Sequence, residues 1–423
     1  MSIANKIAVP KTVAGLLGVL LVFNVYLVPW SPQSPRATDV IGIGLIAVAA
    51  MLLLMGFRLS KHLLVRIFFC GVLLIPMFWN GLLLGGSTPL VSAVRWLSGF
   101  GWAMGLMWMS RHRVLRSVIF KGVIVGTVGA LGVVVLQALG FLQLTMDFGL
   151  TPRDAAVDKF YFSFWRVPGM EGHVNGSAAV VSLSVPIALG LVSEGRASRK
   201  WIVAALAVAL AGSALTLNRS SIVVTSTTLI VWILFASDRS ISKGWKLSVI
   251  IIAIAILIAY GPPGGWQRWQ FVENLGQSRN LQVRLETTLT ALKMSLQNPL
   301  GVGEVYKSYL ESRSGYSATH NAFLQLALLA GLPITLWVVW KLSIRAFSLF
   351  KEGSIEAFLC LHMLGLFFFE EYFGNTTLII LVAWMTVCPY TKQFLTKYKL
   401  IRRAVGASKS KRVPRREVNY GSA

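Results

Sequence analysis

Residues 201–236 read WIVAALAVALAGSALTLNRSSIVVTSTTLIVWILFA, a run of 36 residues in which Arg219 is the only charge. As a single α-helix rising 1.5 Å per residue the run would be roughly 54 Å long, far more than the hydrocarbon core of a bilayer, which is about 30 Å thick. It must fold back near Arg219, giving two apolar helices joined by a tight turn. The same pattern extends in both directions, with apolar segments near 12–30, 39–57, 67–84, 90–109, 118–141, 174–193, 201–217, 220–236, 247–262, 320–340, 355–373 and 375–391. Segments of this length and composition predict an all-α, polytopic integral membrane protein of about twelve transmembrane helices.

Composition points the same way. Of 423 residues, 55% are hydrophobic and 13% charged, with a mean hydropathy of +0.67. A soluble domain carries about 25% charged residues, so a water-soluble enzyme and a disordered chain are both excluded. The net charge of +24 would suggest nucleic acid in a soluble chain. Here the basic residues sit in short clusters between apolar runs, and no nucleic-acid partner is expected. Cys70, Cys360 and Cys388 all lie inside apolar runs without CxxC or Cys/His spacing. Neither a disulfide framework nor a metal site is supported, and no cofactor is expected. The first apolar run follows Lys6 and Lys11 and has no A-x-A cleavage site after it, so it is expected to remain as the first helix.

Lys and Arg concentrate in cytoplasmic loops. With both termini inside, every cytoplasmic loop is basic and that side collects 28 of the 40 Lys and Arg, ten of them between Lys392 and Arg416. The expected organisation is a cytoplasmic N-terminus at 1–11, one membrane domain at 12–391, and a basic cytoplasmic tail at 392–423 near anionic lipid. The other 12 Lys and Arg fall on the outer face, where orientation does not require them. Nine lie in two long outer segments, 142–173 and 263–319, with His173 and His320 at their C-terminal ends. Long structured loops on one face commonly carry function.

Within the second outer segment Leu281, Leu285, Leu289, Leu292 and Leu296 recur at helical spacing, the stripe of an amphipathic helix on a membrane surface. Asn298-Pro299-Leu300-Gly301-Val302-Gly303 ends it. Arg279 and Arg284 fall in its first turns, where free N–H groups and the helix dipole favour an anion. A guanidinium there can grip phosphate oxygens with two prongs; equally, Arg284 can pair with Glu286, Glu273 or lipid headgroups. Arg219, in Leu217-Asn218-Arg219-Ser220-Ser221, either reaches up to headgroups or forms an anion site at the outer surface. With a second arginine that site becomes a pyrophosphate clamp. His320, in Ala318-Thr319-His320-Asn321, is either a polar cap or an imidazole able to take a proton from an attacking hydroxyl. His173, in Gly169-Met170-Glu171-Gly172-His173-Val174-Asn175, has the same two readings. GxxxxGK[ST], HExxH and GxSxG are absent, so an ATPase, zinc protease or serine hydrolase has no support.

The order of these features resembles the O-antigen ligase and polymerase superfamily of bacterial inner-membrane glycosyltransferases. The features are an Asn-Arg-Ser turn between two helices, an arginine opening an outer helix that ends in NPLGVG, and His320-Asn321 followed by Gly331. The resemblance covers about 201–340, and more loosely Arg166 to Pro186 with Gly169 and Asn175. After Gly331 the family pattern usually ends in Gly, Thr or Tyr, where this chain has Ile334 and then Thr335. The resemblance implies transfer of a glycan from a polyprenyl diphosphate carrier to an acceptor hydroxyl, on lipid A-core or a glycan, at the periplasmic face of the inner membrane. It implies catalytic roles for His320, Arg219 and Arg284. Arg279, Asn321, Arg166, His173 and Asn175 are the candidate substrate-binding residues. A ligase, a polymerase and, as a different class, a transporter or flippase stay open, although charges gathered on the outer face and not at the midplane argue against transport.

Overall fold

The computed structural model describes residues 10–27, 34–54, 87–110, 112–153, 158–159, 165–235, 279–348, 353–372 and 375–387, with 244, 248 and 251. Their regular elements are helices, apart from one two-residue antiparallel pair, β1 (Asp158–Lys159) with β2 (Trp165–Arg166), and an isolated bridge between Tyr26 and Arg36. In chain order the helices are α1 (Lys11–Val22), α2 (Ala37–Leu54), α3 (Ser87–Ser110), α4 (Arg113–Ala138), α5 (Leu142–Asp147), α6 (Val174–Ser182), α7 (Ser184–Ser193), α8 (Lys200–Leu215) and α9 (Arg219–Phe235). They continue with α10 (Arg279–Gln297), α11 (Tyr306–Ser314), α12 (Ala322–Ala330), α13 (Leu332–Phe347), α14 (Ile355–Phe369) and α15 (Thr376–Val387). Met1–Val387 forms one compact unit; the second, Cys388–Ala423, lies outside the described residues and takes the basic tail with it.

Among the described residues two stretches are long and apolar enough to cross a membrane, Val114–Ala138 and Val174–Ser193, and further apolar helices run to 10–17 residues. The second of these is broken into α6 and α7 at Leu183. The cause is Pro186, which has no N–H to offer the Ser182 carbonyl four residues back. The 201–236 run does fold back, with α8 and α9 meeting at Leu217-Asn218. The apolar run at 67–84 lies outside the described residues, as does nearly all of 247–262.

Two expected spans differ in the structure. Residues 320–340 are two helices, α12 and α13, which meet at Gly331 with φ 97° and ψ 159°. This region of backbone conformation is essentially reserved for glycine. The NPLGVG loop docks on the break, with the Val302 N–H donating to the Leu328 carbonyl at 2.6 Å and the Leu332 N–H to the Pro299 carbonyl at 2.8 Å. A Cβ on Gly331 would stand 2.8 Å from the Pro299 carbonyl oxygen, and one on Gly301 would stand 2.7 Å from the Gly331 nitrogen. The two glycines therefore let α10 end directly against the junction of α12 and α13. The run at 355–373 is also shorter than expected: α14 stops at Phe369, and Glu370 begins an extended loop. Two adjacent carboxylates, Glu370 and Glu371, prevent the apolar run from continuing.

Packing uses very close helix approach. α1 lies along α4 so tightly that a Cβ on Gly18 would fall 2.1 Å from the Ile119 carbonyl oxygen, and one on Gly122 would fall 2.2 Å from that of Gly15. Small residues that let backbones meet are how helices associate when hydrophobic exclusion from water supplies little force between them. Deeper in, His362 of α14 is fully buried, and its two ring nitrogens lie 2.9 Å from the Ser182 hydroxyl and 3.0 Å from that of Thr228. It is a satisfied core histidine tying α14 to α6 and α9.

A buried ionic cluster anchors the segment before α6. Arg36 donates to Glu171 at 2.5 Å and to the Tyr26 hydroxyl at 2.7 Å, while Arg95 lies 4.0 Å from Asp39. Burial works against the charge on Arg36, but Glu171 outweighs it and holds the guanidinium protonated above its ordinary range. Arg36 and Arg95 are thus matched by carboxylates that the basic-residue pattern alone does not reveal.

Candidate functional site

The turn between α8 and α9 builds the first half of the site. Leu217 adopts φ 50°, and the Asn218 N–H bonds back to the Ser213 carbonyl at 3.0 Å, which closes α8. The Asn218 side chain then opens α9, accepting from the Ser221 N–H at 2.8 Å and from the Ser220 hydroxyl at 2.8 Å. Its amide NH2 donates to Asn175 Oδ1 at 2.7 Å, which ties the turn to the start of α6. Arg219 follows as the first residue of α9 and is exposed. The Asn-Arg-Ser sequence is therefore a capping device that presents one guanidinium at a helix N-terminus. No carboxylate pairs with that guanidinium among the described residues.

Arg284 lies in the second turn of α10, close enough to Arg219 for the two positive charges to repel. It donates to Glu370 Oε1 at 3.1 Å, and the other oxygen of the same carboxylate lies 3.7 Å from His320 Nδ1. One carboxylate therefore joins an arginine from α10 to the histidine before α12. Burial alone would push the Glu370 carboxyl up, but His320 and Arg284 together hold it below the usual carboxylate range.

His320 has φ 52°, and it and Leu217 are the non-glycine residues at positive φ among those described. A non-glycine residue there costs about 1–3 kcal/mol and persists only where its surroundings fix it. The fixing contacts are visible. The Thr319 N–H donates to the Glu371 carboxylate, and the Thr319 hydroxyl donates to the Asn321 carbonyl at 2.9 Å. Burial pushes the Glu371 carboxyl up, against the opposing pull of the Thr319 contacts and the charge of Lys307. The imidazole is a quarter exposed, open enough to meet a substrate.

The other candidates fall elsewhere. Asn321 caps α12, accepting from the Leu324 N–H at 3.1 Å and donating to the Phe368 carbonyl at 3.2 Å, so both ends of its amide are committed to the fold. His173 caps α6, its Nδ1 accepting from the Asn175 N–H at 3.3 Å. Asn175 braces Asn218. Arg279 is the first residue of α10, and Arg166 lies in β2 opposite Asp158; the side chains of both lie outside the description. Glu370 is the residue that sequence reasoning missed. It sat inside an apolar run assigned as a span, and the signal was the unexplained charge pair Glu370-Glu371 at the end of that run.

Two guanidiniums and an imidazole braced by a carboxylate, held by helix ends in an all-helical frame, suit a group-transfer enzyme acting on an anionic donor. Residues 204–339, which carry Arg219, Arg284 and His320, match the family model described as O-antigen ligase. That matched segment is similar to the O-antigen ligase family. No curated protein matches the chain.

Proposed function

We propose that this protein is a membrane glycosyltransferase that moves a glycan from a polyprenyl diphosphate carrier to an acceptor hydroxyl at the periplasmic face, by O-antigen ligation to lipid A-core. The observation that carries the reading is Glu370 joining Arg284 to His320, with Arg219 near enough to Arg284 for their charges to interact. A diphosphate is an activated leaving group, so the energy of transfer is already in the donor. Arg219 and Arg284 neutralise the charge that develops on it, in place of a metal. The acceptor O–H bond breaks as its proton passes to His320, and the oxygen bonds to the anomeric carbon. As that bond forms, the carbon–oxygen bond to phosphate breaks, its electron pair leaving with the diphosphate lipid.

The membrane reading, with about twelve spans and both termini inside, rests on the 28-to-12 partition of basic residues. Apolar side chains turned outward along the helices support it, among them Val203 at 57%, Leu234 at 67%, Leu336 at 65% and Phe347 at 68% exposure. Leu285, Leu289, Leu292 and Leu296 of α10 are likewise turned outward, as a helix resting on an apolar surface requires. Reporter fusions after Gly85 and Gly264 are expected to read periplasmic, and fusions after Arg113 and Lys243 cytoplasmic. A cytoplasmic reading at Gly264 would place the site on the wrong side of its substrate.

A polymerase that lengthens a lipid-linked O-antigen or exopolysaccharide is the second reading, kept open because Ile334 stands where the family pattern has Gly, Thr or Tyr. A deletion strain separates the two. Long chains accumulating on the carrier identify a ligase, single repeat units a polymerase, and an unchanged carrier pool overturns both.

A further inference from the structure

Three consecutive residues just after α14, outside the segment that matches the family model, touch every part of the site. Glu370 meets Arg284 and His320, Glu371 holds the Thr319 N–H, and Tyr372, fully buried, lies beside Ser220, the neighbour of Arg219. We propose that Glu370 is a positioning residue which, facing Nδ1 of His320 from 3.7 Å, keeps the proton on that nitrogen and leaves Nε2 to receive the proton of the acceptor hydroxyl. The inference rests on the reading of His320 as the proton acceptor.

The chemistry of imidazole requires such a partner. A neutral ring carries one N–H, and which nitrogen bears it is set by the hydrogen bond the other atoms of the ring make. With no acceptor near Nδ1, the two tautomers compete, and the Nε2–H form presents a donor and not an acceptor to the incoming hydroxyl. A carboxylate at Nδ1 removes that competition and stabilises the imidazolium formed during the step. The 3.7 Å separation is an ion-pair distance, longer than a hydrogen bond, and catalytic hydrogen bonds commonly tighten only once substrate is bound. The left-handed backbone of His320 shows why the partner must come from another element: the turn itself is fully used in holding φ at 52°. Glu370 is well suited to hold a fixed carboxylate. Arg284 fixes its other oxygen, and the side chain is only 11% exposed.

The experiment is a reconstituted transfer assay with the full-length protein, purified lipid-linked donor and acceptor, comparing Glu370→Gln, Glu370→Asp, His320→Ala and the double variant Glu370→Gln/His320→Ala. Donor retention is measured by co-purified lipid diphosphate. Glu370→Gln is expected to lower kcat at least about tenfold, the lower end of the cost of removing a group that orients a catalytic imidazole. Donor retention should stay within about twofold, and Glu370→Asp should recover part of the rate because the charge is kept. In the double variant the Gln change should cost nothing beyond His320→Ala, because a residue that acts through the histidine has no effect without it. Additive losses would overturn the proposal, as a general weakening of the fold would produce them. Full activity in Glu370→Gln alongside a dead His320→Ala would overturn it while leaving the proposed function intact. An active His320→Ala would overturn both.

Discussion

His320→Ala should turn over at less than about a tenth of the wild-type rate, and the general-base loss behind that figure is typically 10²–10⁴-fold. The variant should still hold the lipid-linked donor, because the arginines and not the imidazole contact the diphosphate in the proposed arrangement. His173→Ala provides the comparison. Its Nδ1 accepts a single backbone N–H at the start of α6, and losing a helix cap costs about 1 kcal/mol of stability, so activity should fall far less at equal protein level. A dead His173→Ala would transfer the base assignment to that residue. The pH dependence separates the imidazole from the carboxylate behind it. Glu370 is held below its ordinary value of 4.5, so its anionic form and the bridge to Arg284 are present above that pH and are lost only as pH falls further. Loss of activity on the acid side that begins well above 4.5 therefore does not come from protonation of Glu370, and donor retention over the same interval is expected to stay level.

What could be read from the sequence divides along physical lines. The Asn218-Arg219-Ser220 turn was legible because 36 nearly uncharged residues cannot be one helix, and the only place to reverse was at the charge. The end of α10 at NPLGVG was equally plain, since proline and glycine interrupt helices whatever surrounds them. The docking of that loop on Gly331 was not. It depends on two glycine backbones approaching each other across 30 residues of sequence, and nothing in local composition records it. Asn321, Asn175 and His173 are polar residues at the proposed outer surface, which is where substrate contacts are sought; helix starts there also need caps and braces, and the local sequence did not show that these residues make them. Hydropathy concealed Glu370 because it averages over a window, and two carboxylates at the edge of an apolar run barely lower the mean. Charge counting had the converse weakness: it marked Arg36 and Arg95 as informative without showing Glu171 and Asp39 beside them.

Arg219→Ala and Arg284→Ala should each abolish transfer, with the protein still present in the membrane at normal level. The two differ in what they leave behind, and the difference tests the clamp. Arg219 faces no carboxylate among the described residues, so its charge is fully available to a diphosphate, and its removal should cost donor retention directly. Arg284 shares its charge with Glu370. Its loss should both weaken donor retention and leave a buried carboxylate without its arginine partner. Adding Glu370→Gln to Arg284→Ala is accordingly expected to recover some stability of the purified protein without recovering transfer. Lysine at either position should rescue only partly, since an ammonium is a point charge and cannot make the two parallel contacts of a guanidinium with phosphate oxygens. Transfer should also survive EDTA, because in this mechanism the cations that meet the leaving group are covalently part of the chain. A strict requirement for added divalent metal would replace the arginine clamp. Full activity in either alanine variant would return that arginine to a headgroup contact, and the repulsion between Arg219 and Arg284 would then need another purpose. Two like charges held near each other cost free energy in the empty protein. Binding of a doubly charged phosphate group between them relieves that cost, so the pair favours a diphosphate over a neutral headgroup before any other contact is made.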